Sequence, residues 1–173
     1  MASTLRIASR ALPRISGAFS RAALPARVLS APLSRREFSR TAGRFEIIKK
    51  YTQDHEWVSL DTDTGIATVG ITDYAQDQLG EVVFVELPGV GEIKEAGDSI
   101  GAVESVKSAS DIISPLSGTI VEENAVLGDS PTLINSEAET GEGWVVKIQV
   151  TDRVNDELKD LMDAEAYADF TSK

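Results

Sequence analysis

Apolar and polar residues alternate over short stretches of this chain, and the period of the alternation changes several times. Trp144, Val146, Ile148 and Val150 alternate with Val145, Lys147 and Gln149, the pattern of a half-buried strand. Glu56–Leu60 and Ile66–Ile71 can both be extended, and the turn cluster Asp61-Thr62-Asp63-Thr64-Gly65 between them predicts a hairpin. Ile47, Ile48 and Tyr51 precede it as the expected first core contacts. Thr72 suits an N-cap, with Asp73 in the first turn of a short helix that stops at Gly80. Val82-Val83-Phe84-Val85 is a continuous, β-branched apolar run, which predicts a buried strand.

Further along, Thr119–Glu123 reads as a strand, Asn124–Ser130 as a loop and Pro131–Asn135 as a single helical turn. The acidic, glycine-containing stretch Ser136–Gly143 is expected to be an exposed loop. Asn155 can cap a helical region, with Asp156 and Glu157 at the positive end of its dipole. Leu158, Leu161 and Met162 share one face there, and Asp163 can cap a second stretch that carries Tyr167 and Phe170. Many short strands, glycine-rich turns and a late helix predict a mainly β domain, a sandwich or small barrel, with short helices and a helical C-terminus.

The stretch from Ile100 to Pro115 organises the rest. Ile100, Ala102, Glu104 and Val106 fall on one face of an extended arm, and Gly101, Val103 and Ser105 on the other. Small residues, Ser108, Ala109 and Ser110, follow Lys107, then Asp111 and the apolar pair Ile112-Ile113, and Pro115 closes the second arm. Such a hairpin presents Lys107 to solvent on a stiff support. A lysine on a turn is ordinarily just solvated, so spacing alone does not single it out.

Composition narrows the chemistry. The chain has 173 residues, no cysteine and one histidine, His55. That removes disulfides, thiolate metal sites, a cysteine nucleophile and multi-histidine metal sites. There is no nucleophile–histidine pair and no phosphate loop, so an independent enzyme is not expected. No run approaches the roughly 20 apolar residues that span a bilayer, so membrane insertion is not expected either. Charge is split unevenly. Residues 1–44 hold nine arginines, no lysine and one acid, Glu37, a net of +8. The remainder must then carry −19 for the whole chain to reach −11. An arginine-, serine- and alanine-rich, acid-poor start is what an organelle transit peptide looks like. An acidic body would be repelled by phosphates, which argues against nucleic acid as a partner.

The wording around the lysine adds what spacing does not. Glu104-Ser105-Val106-Lys107-Ser108-Ala109-Ser110-Asp111, followed by Ser114-Pro115-Leu116-Ser117-Gly118-Thr119-Ile120, resembles the lipoyl-lysine segment of the glycine cleavage system H proteins. The resemblance continues through Asp54-His55-Glu56-Trp57-Val58, Gly70-Ile71-Thr72-Asp73 and Leu79-Gly80-Glu81-Val82-Val83-Phe84-Val85-Glu86-Leu87-Pro88. It reaches Leu133-Ile134-Asn135 and Gly143-Trp144, and so covers roughly residues 46–170.

The resemblance implies the barrel-sandwich hybrid fold of lipoyl and biotinyl carriers, with a helical C-terminal addition. It implies lipoic acid in amide linkage on Lys107 and a carrier that catalyses nothing alone. The arm would accept an aminomethyl group from the pyridoxal-phosphate enzyme glycine decarboxylase. It would pass the one-carbon unit to tetrahydrofolate on the aminomethyltransferase and be reoxidised by dihydrolipoamide dehydrogenase, an FAD and NAD enzyme. Lipoylating enzymes would be further partners, with Glu104 and Ser105 serving their recognition. Glu56 and Asp111 match the acids that hold the loaded arm's amine in a cleft, and Asp54, standing where serine is common, could join them. Gln78 stands where histidine is common, which leaves that position's role open, and His55 reads as structural. Residues 1–44 would be a mitochondrial transit peptide cleaved between about 38 and 45, near Arg36-Glu37-Phe38-Ser39. Residues 45–173 would be the carrier domain, working in the mitochondrial matrix. A monomer is the default expectation.

Alternatives differ in what they leave unexplained. A biotin carrier would want methionines beside the lysine, where Val106 and Ser108 stand. An acyltransferase lipoyl domain would precede a catalytic domain. A lipoate relay to other enzymes would use the same lysine and fold. An unmodified acidic interaction module would explain the charge but not the wording around Lys107.

Overall fold

The computed structural model of the protein describes residues 46–173, so the expected transit peptide and its cleavage window lie outside the described residues. Strands β1 (Ile47–Tyr51), β2 (Glu56–Asp61) and β3 (Ile66–Ile71) form an antiparallel meander. Asp61 Oδ1 accepts the Asp63 amide at 2.9 Å and so builds the β2–β3 turn. Helix α1 (Asp73–Leu79) follows, capped by Thr72, whose Oγ1 accepts the Ala75 amide at 3.2 Å. Next come β4 (Val82–Glu86), the two-residue β5 (Ile93–Lys94), β6 (Ser99–Ser105), β7 (Ala109–Ile113) and β8 (Gly118–Glu123). Short helices α2 (Val126–Asp129) and α3 (Leu133–Glu137) lead to β9 (Val146–Val150), then α4 (Val154–Glu157) and α5 (Ala164–Thr171).

The strands form two antiparallel sheets, ordered β1-β2-β3-β9-β8-β5 and β4-β6-β7. Their inner faces share one core. Val58, Val69 and Ile148 from the larger sheet and Val82, Ile100 and Ile112 from the smaller one are fully buried in it. Each such side chain contributes about 1.5–3 kcal/mol by leaving water. This is the mainly β, two-sheet architecture with a C-terminal helix that the sequence predicts.

Several local expectations are corrected. The strict alternation along the first arm of the lysine hairpin breaks at a bulge between Ser99 and Gly101, so Ile100 and Val103 both enter the core. Gly101 sits at φ +144°, and a Cβ there would lie 2.3 Å from the Glu86 carbonyl oxygen. β4 is not buried throughout. A second bulge, between Val82 and Phe84, leaves Val83 and Phe84 half exposed while Val82 and Val85 face inward. Ile47 points to solvent at 70 % exposure, so Ile48 and Tyr51 alone begin the core.

The expected loop Asn124–Ser130 contains α2, whose Leu127 is buried. The acidic stretch Ser136–Gly143 begins inside α3 and is tied down rather than free. Ala138 is buried and its carbonyl accepts Trp57 Nε1–H at 2.8 Å. Asn124 Nδ2 donates to the Glu142 and Trp144 carbonyls, both at 2.7 Å. Trp144 and the buried Val145 precede β9 rather than alternating within it. Asn155 is no cap, because α4 starts one residue earlier behind Arg153; Glu157 instead accepts the Ser117 amide at 2.9 Å. Asp163 does cap α5, accepting the Ala166 amide at 2.9 Å.

Candidate functional site

The β6–β7 hairpin turns at Val106–Ser108, and Ser105 builds the turn. Its Oγ accepts the amides of Lys107 at 3.1 Å and Ser108 at 3.0 Å, while its own amide donates to the Ser108 carbonyl at 2.8 Å. One further bond anchors the tip to the body: Val106 N–H donates to the Glu81 carbonyl at 3.1 Å. Lys107 is exposed, and among the described residues its ammonium makes no ion pair. Its stem lies across Gly80, where a Cβ would stand 3.0 Å from Nζ. Gly80 has φ +80° and ends α1.

Asn135, to which the motif Leu133-Ile134-Asn135 gives no evident task, holds this junction. Its Oδ1 accepts the Val82 amide at 2.9 Å. Its Nδ2 donates to the Gly80 carbonyl at 2.8 Å and to Gln76 Oε1 at 3.1 Å. The sequence places it only within a helical turn, because its bonds span more than 50 residues of sequence.

A cleft of about 300 Å³ opens between the start of β2, helix α1 and the β6–β7 pair. Asp54, Glu56 and Asp111 all line it, so the fold brings together the three acids marked in the sequence. Gln78, Leu79 and Tyr74 form the α1 wall, and Val103 and Ile112 give it an apolar floor. Glu104 and Ser105 lie at the end of β6 and are not among the residues that line the cleft. The acids differ sharply. Asp54 and Asp111 are exposed, whereas Glu56 is 2 % exposed.

Both Glu56 oxygens already have protein donors, Ile113 N–H at 2.9 Å and the Thr52 hydroxyl, and Thr52 Oγ1 in turn accepts the Glu56 amide at 2.9 Å. Burial pushes the Glu56 carboxyl above the usual carboxylate range; the bonds from Thr52 and Ile113 oppose this, and nearby Asp54 adds to it. A part-apolar cleft with negative walls suits a cationic group, because low dielectric strengthens the attraction.

His55 stands between these acids at φ +74°, a conformation uncommon outside glycine. It lines the cleft, and its Nδ1 lies 2.9 Å from Tyr167 Oη.

The family model described as "Glycine cleavage H-protein" matches residues 49–173, nearly all of the described body. The chain belongs to the glycine cleavage H-protein family. Relatives are similar over most of this body. The glycine cleavage system H protein of Thermotoga maritima is 49% identical over 126 residues, covering 73% of this chain and 98% of its own. A putative mitochondrial glycine cleavage system H protein of Schizosaccharomyces pombe is 52% identical over 130 residues, covering 75% and 74%. A crystal structure of a glycine cleavage system H protein from Mycobacterium marinum superposes with a TM-score of 0.65 at 41% identity, covering 72% of this chain and 97% of that one.

As a member of this family the protein is a non-catalytic lipoyl carrier of the glycine cleavage system, and family members hold the lipoyl group covalently on a lysine. It works with the other components of that system.

Proposed function

We propose that Lys107 carries the lipoyl group and that the arm shuttles an aminomethyl group between enzymes. The donor is the pyridoxal-phosphate glycine decarboxylase. The acceptor is the tetrahydrofolate-dependent aminomethyltransferase, and dihydrolipoamide dehydrogenase then reoxidises the arm. The observation that carries this reading is the exposed Lys107 beside a cleft lined by Asp54, Glu56 and Asp111. The bound group supplies the dithiol chemistry that a cysteine-free chain lacks. The chain's own residues do the rest. Ser105 and the Val106–Glu81 bond hold the attachment point, and the tether keeps cargo at high local concentration near its partners. Asp54 and Asp111 are exposed enough to receive a cationic end group, and the buried Glu56 adds negative field behind them. Glu104, exposed beside the tip, serves recognition by lipoylating enzymes together with Ser105.

The arginine-rich residues 1–44 act, in this reading, as a mitochondrial transit peptide cleaved between about 38 and 45. The mature chain of residues 45–173 then works as a monomer in the matrix. The mitochondrial relative from Schizosaccharomyces pombe is consistent with that address.

Peptide mass of the protein purified from its own cells tests the central point. A lipoyl-sized increment on the Lys107 peptide, absent in Lys107→Arg, is expected, together with glycine-dependent turnover by the purified system that the variant lacks. An unmodified Lys107 in lipoate-replete cells sinks the reading. The same sample gives the mature N-terminus.

A further inference from the structure

Two side chains of the C-terminal helix α5, Tyr167 and Phe170, reach His55 at the cleft, and Tyr167 does so by a hydrogen bond. Tyr167 is 7 % exposed, and its ring stacks on Tyr51 at 4.6 Å between centroids and 8° between planes. Beyond the stack, its hydroxyl reaches two residues at once: His55 Nδ1 at 2.9 Å and Thr72 Oγ1 at 2.7 Å. These two belong to opposite walls. His55 is flanked by Asp54 and Glu56 on the β2 side, and Thr72 caps α1, which supplies Tyr74, Ala75, Gln78 and Leu79 to the other side. The walls already share a backbone bond, Thr72 N–H to the His55 carbonyl at 2.9 Å.

One proton order satisfies every group. Thr72 Oγ1 accepts the Ala75 amide; with its proton on Tyr167 Oη and the tyrosine proton on an unprotonated Nδ1, neither hydroxyl proton is left without an acceptor. His55 packs its ring against Tyr74 at 4.6 Å and Phe170 at 5.8 Å, and burial lowers its pKa, in keeping with a neutral imidazole.

We infer that Tyr167 is a positioning residue for the arm cleft: through its hydroxyl, the C-terminal helix latches the His55 segment to the start of α1 and so sets the separation of the two walls. The inference rests on the reading that the loaded arm enters this cleft. A mere anchor for α5 would need the ring but not the hydroxyl. That anchor exists independently, since Tyr51 and Met162 exchange two backbone bonds, both 2.9 Å.

Tyr167→Phe keeps the stack and removes the latch. The latch is two neutral hydrogen bonds in series, and the walls part when either one breaks, so its removal corresponds to roughly a five- to tenfold shift in a local opening equilibrium. Amide exchange in the lipoylated protein should therefore quicken about five- to tenfold at Thr72, Ala75 and Gln76. Exchange at Tyr51 and Met162 should stay within about twofold of wild type. Hydrolytic release of the aminomethyl cargo in the absence of partners, in which water returns the thiol and frees formaldehyde and ammonium, should quicken several-fold. Thr72→Ser, which keeps the hydroxyl, must behave like wild type.

Unchanged exchange in Tyr167→Phe overturns the latch. So does a uniform rise that includes Tyr51 and Met162, which would make Tyr167 an anchor only. Faster exchange with unchanged slow cargo release shows that the latch does not serve the cleft, and also overturns the inference. Cargo release from the wild type as fast as from a small-molecule dihydrolipoamide adduct is a different failure, of the cleft reading itself, and removes the latch's purpose with it.

Discussion

Asn135→Ala removes the clamp at the base of the lysine hairpin without touching Lys107. The largest loss is the acceptor for the Val82 amide, since Val82 is fully buried and water cannot replace Asn135 Oδ1 there. An orphaned buried amide costs about 1–3 kcal/mol, whereas the partly exposed Gly80 carbonyl and Gln76 amide regain water at little cost. The expected loss is about 2 kcal/mol, which for a folded body of this size lowers Tm by about 8 °C. Asn135→Asp keeps the acceptor but turns a carboxylate toward the Gly80 carbonyl, so it should fall between Ala and wild type. Thermal unfolding followed by circular dichroism reads the shift. In vitro lipoylation should slow as well, because the Val106–Glu81 bond that steadies the tip depends on the strand Asn135 holds. A Tm within about 2 °C of wild type for Asn135→Ala would refute the reasoning.

Gly101→Ala should cost about 3 kcal/mol or more, because the new Cβ meets the Glu86 carbonyl at 2.3 Å and φ is +144°; a denaturation midpoint equal to wild type would contradict it. Glu56→Gln tests the buried carboxyl. With its folded pKa raised by burial, the native state holds that proton more tightly than the unfolded chain. The charge thus costs stability as pH rises from the unfolded carboxylate value, about 4.3, through the folded one. The stability of wild type minus Glu56→Gln, from urea titrations at pH 4 and pH 7, should therefore fall as pH rises, and a rise would count against it. The body's −19 excess should make docking to partner enzymes weaken as salt rises. A flat dependence of the coupled glycine reaction on ionic strength would exclude steering.

Local chemistry was legible and long-range chemistry was not. Thr72, Asp73 and Gly80 bracket α1 in the sequence as they do in the structure, because caps act within three or four residues. The β2–β3 hairpin and the lysine tip were readable for the same reason. Bulges defeated the period-two argument. At Ile100 and at Val83 the ladder gains a residue, so faces assigned by alternation change partway along the strand. The candidate site was marked by the wording around Lys107, Glu56 and Asp111, and the fold sets both acids in one cleft. Asn135 and Tyr167, which bond to its walls, were not marked, since a lone amide or hydroxyl carries no sign of a partner 50 or 100 residues away.

The three cleft acids show why the kind of residue alone does not assign a task. Counted as carboxylates, Asp54, Glu56 and Asp111 are interchangeable holders of a cation. In the fold, Glu56 joins the start of β2 to β7 through Ile113 and closes on Thr52, so its oxygens are committed before any ligand arrives. Pulling it onto an amine would leave the Ile113 amide without its acceptor, at a cost comparable to what the new pair returns. Asp54 and Asp111 carry no such commitment and stand at the solvent side of the same cleft. In the proposed reading the division of labour follows from burial: the shielded acid fixes the geometry and sets the field, and the two wet ones are free to exchange water for an ammonium.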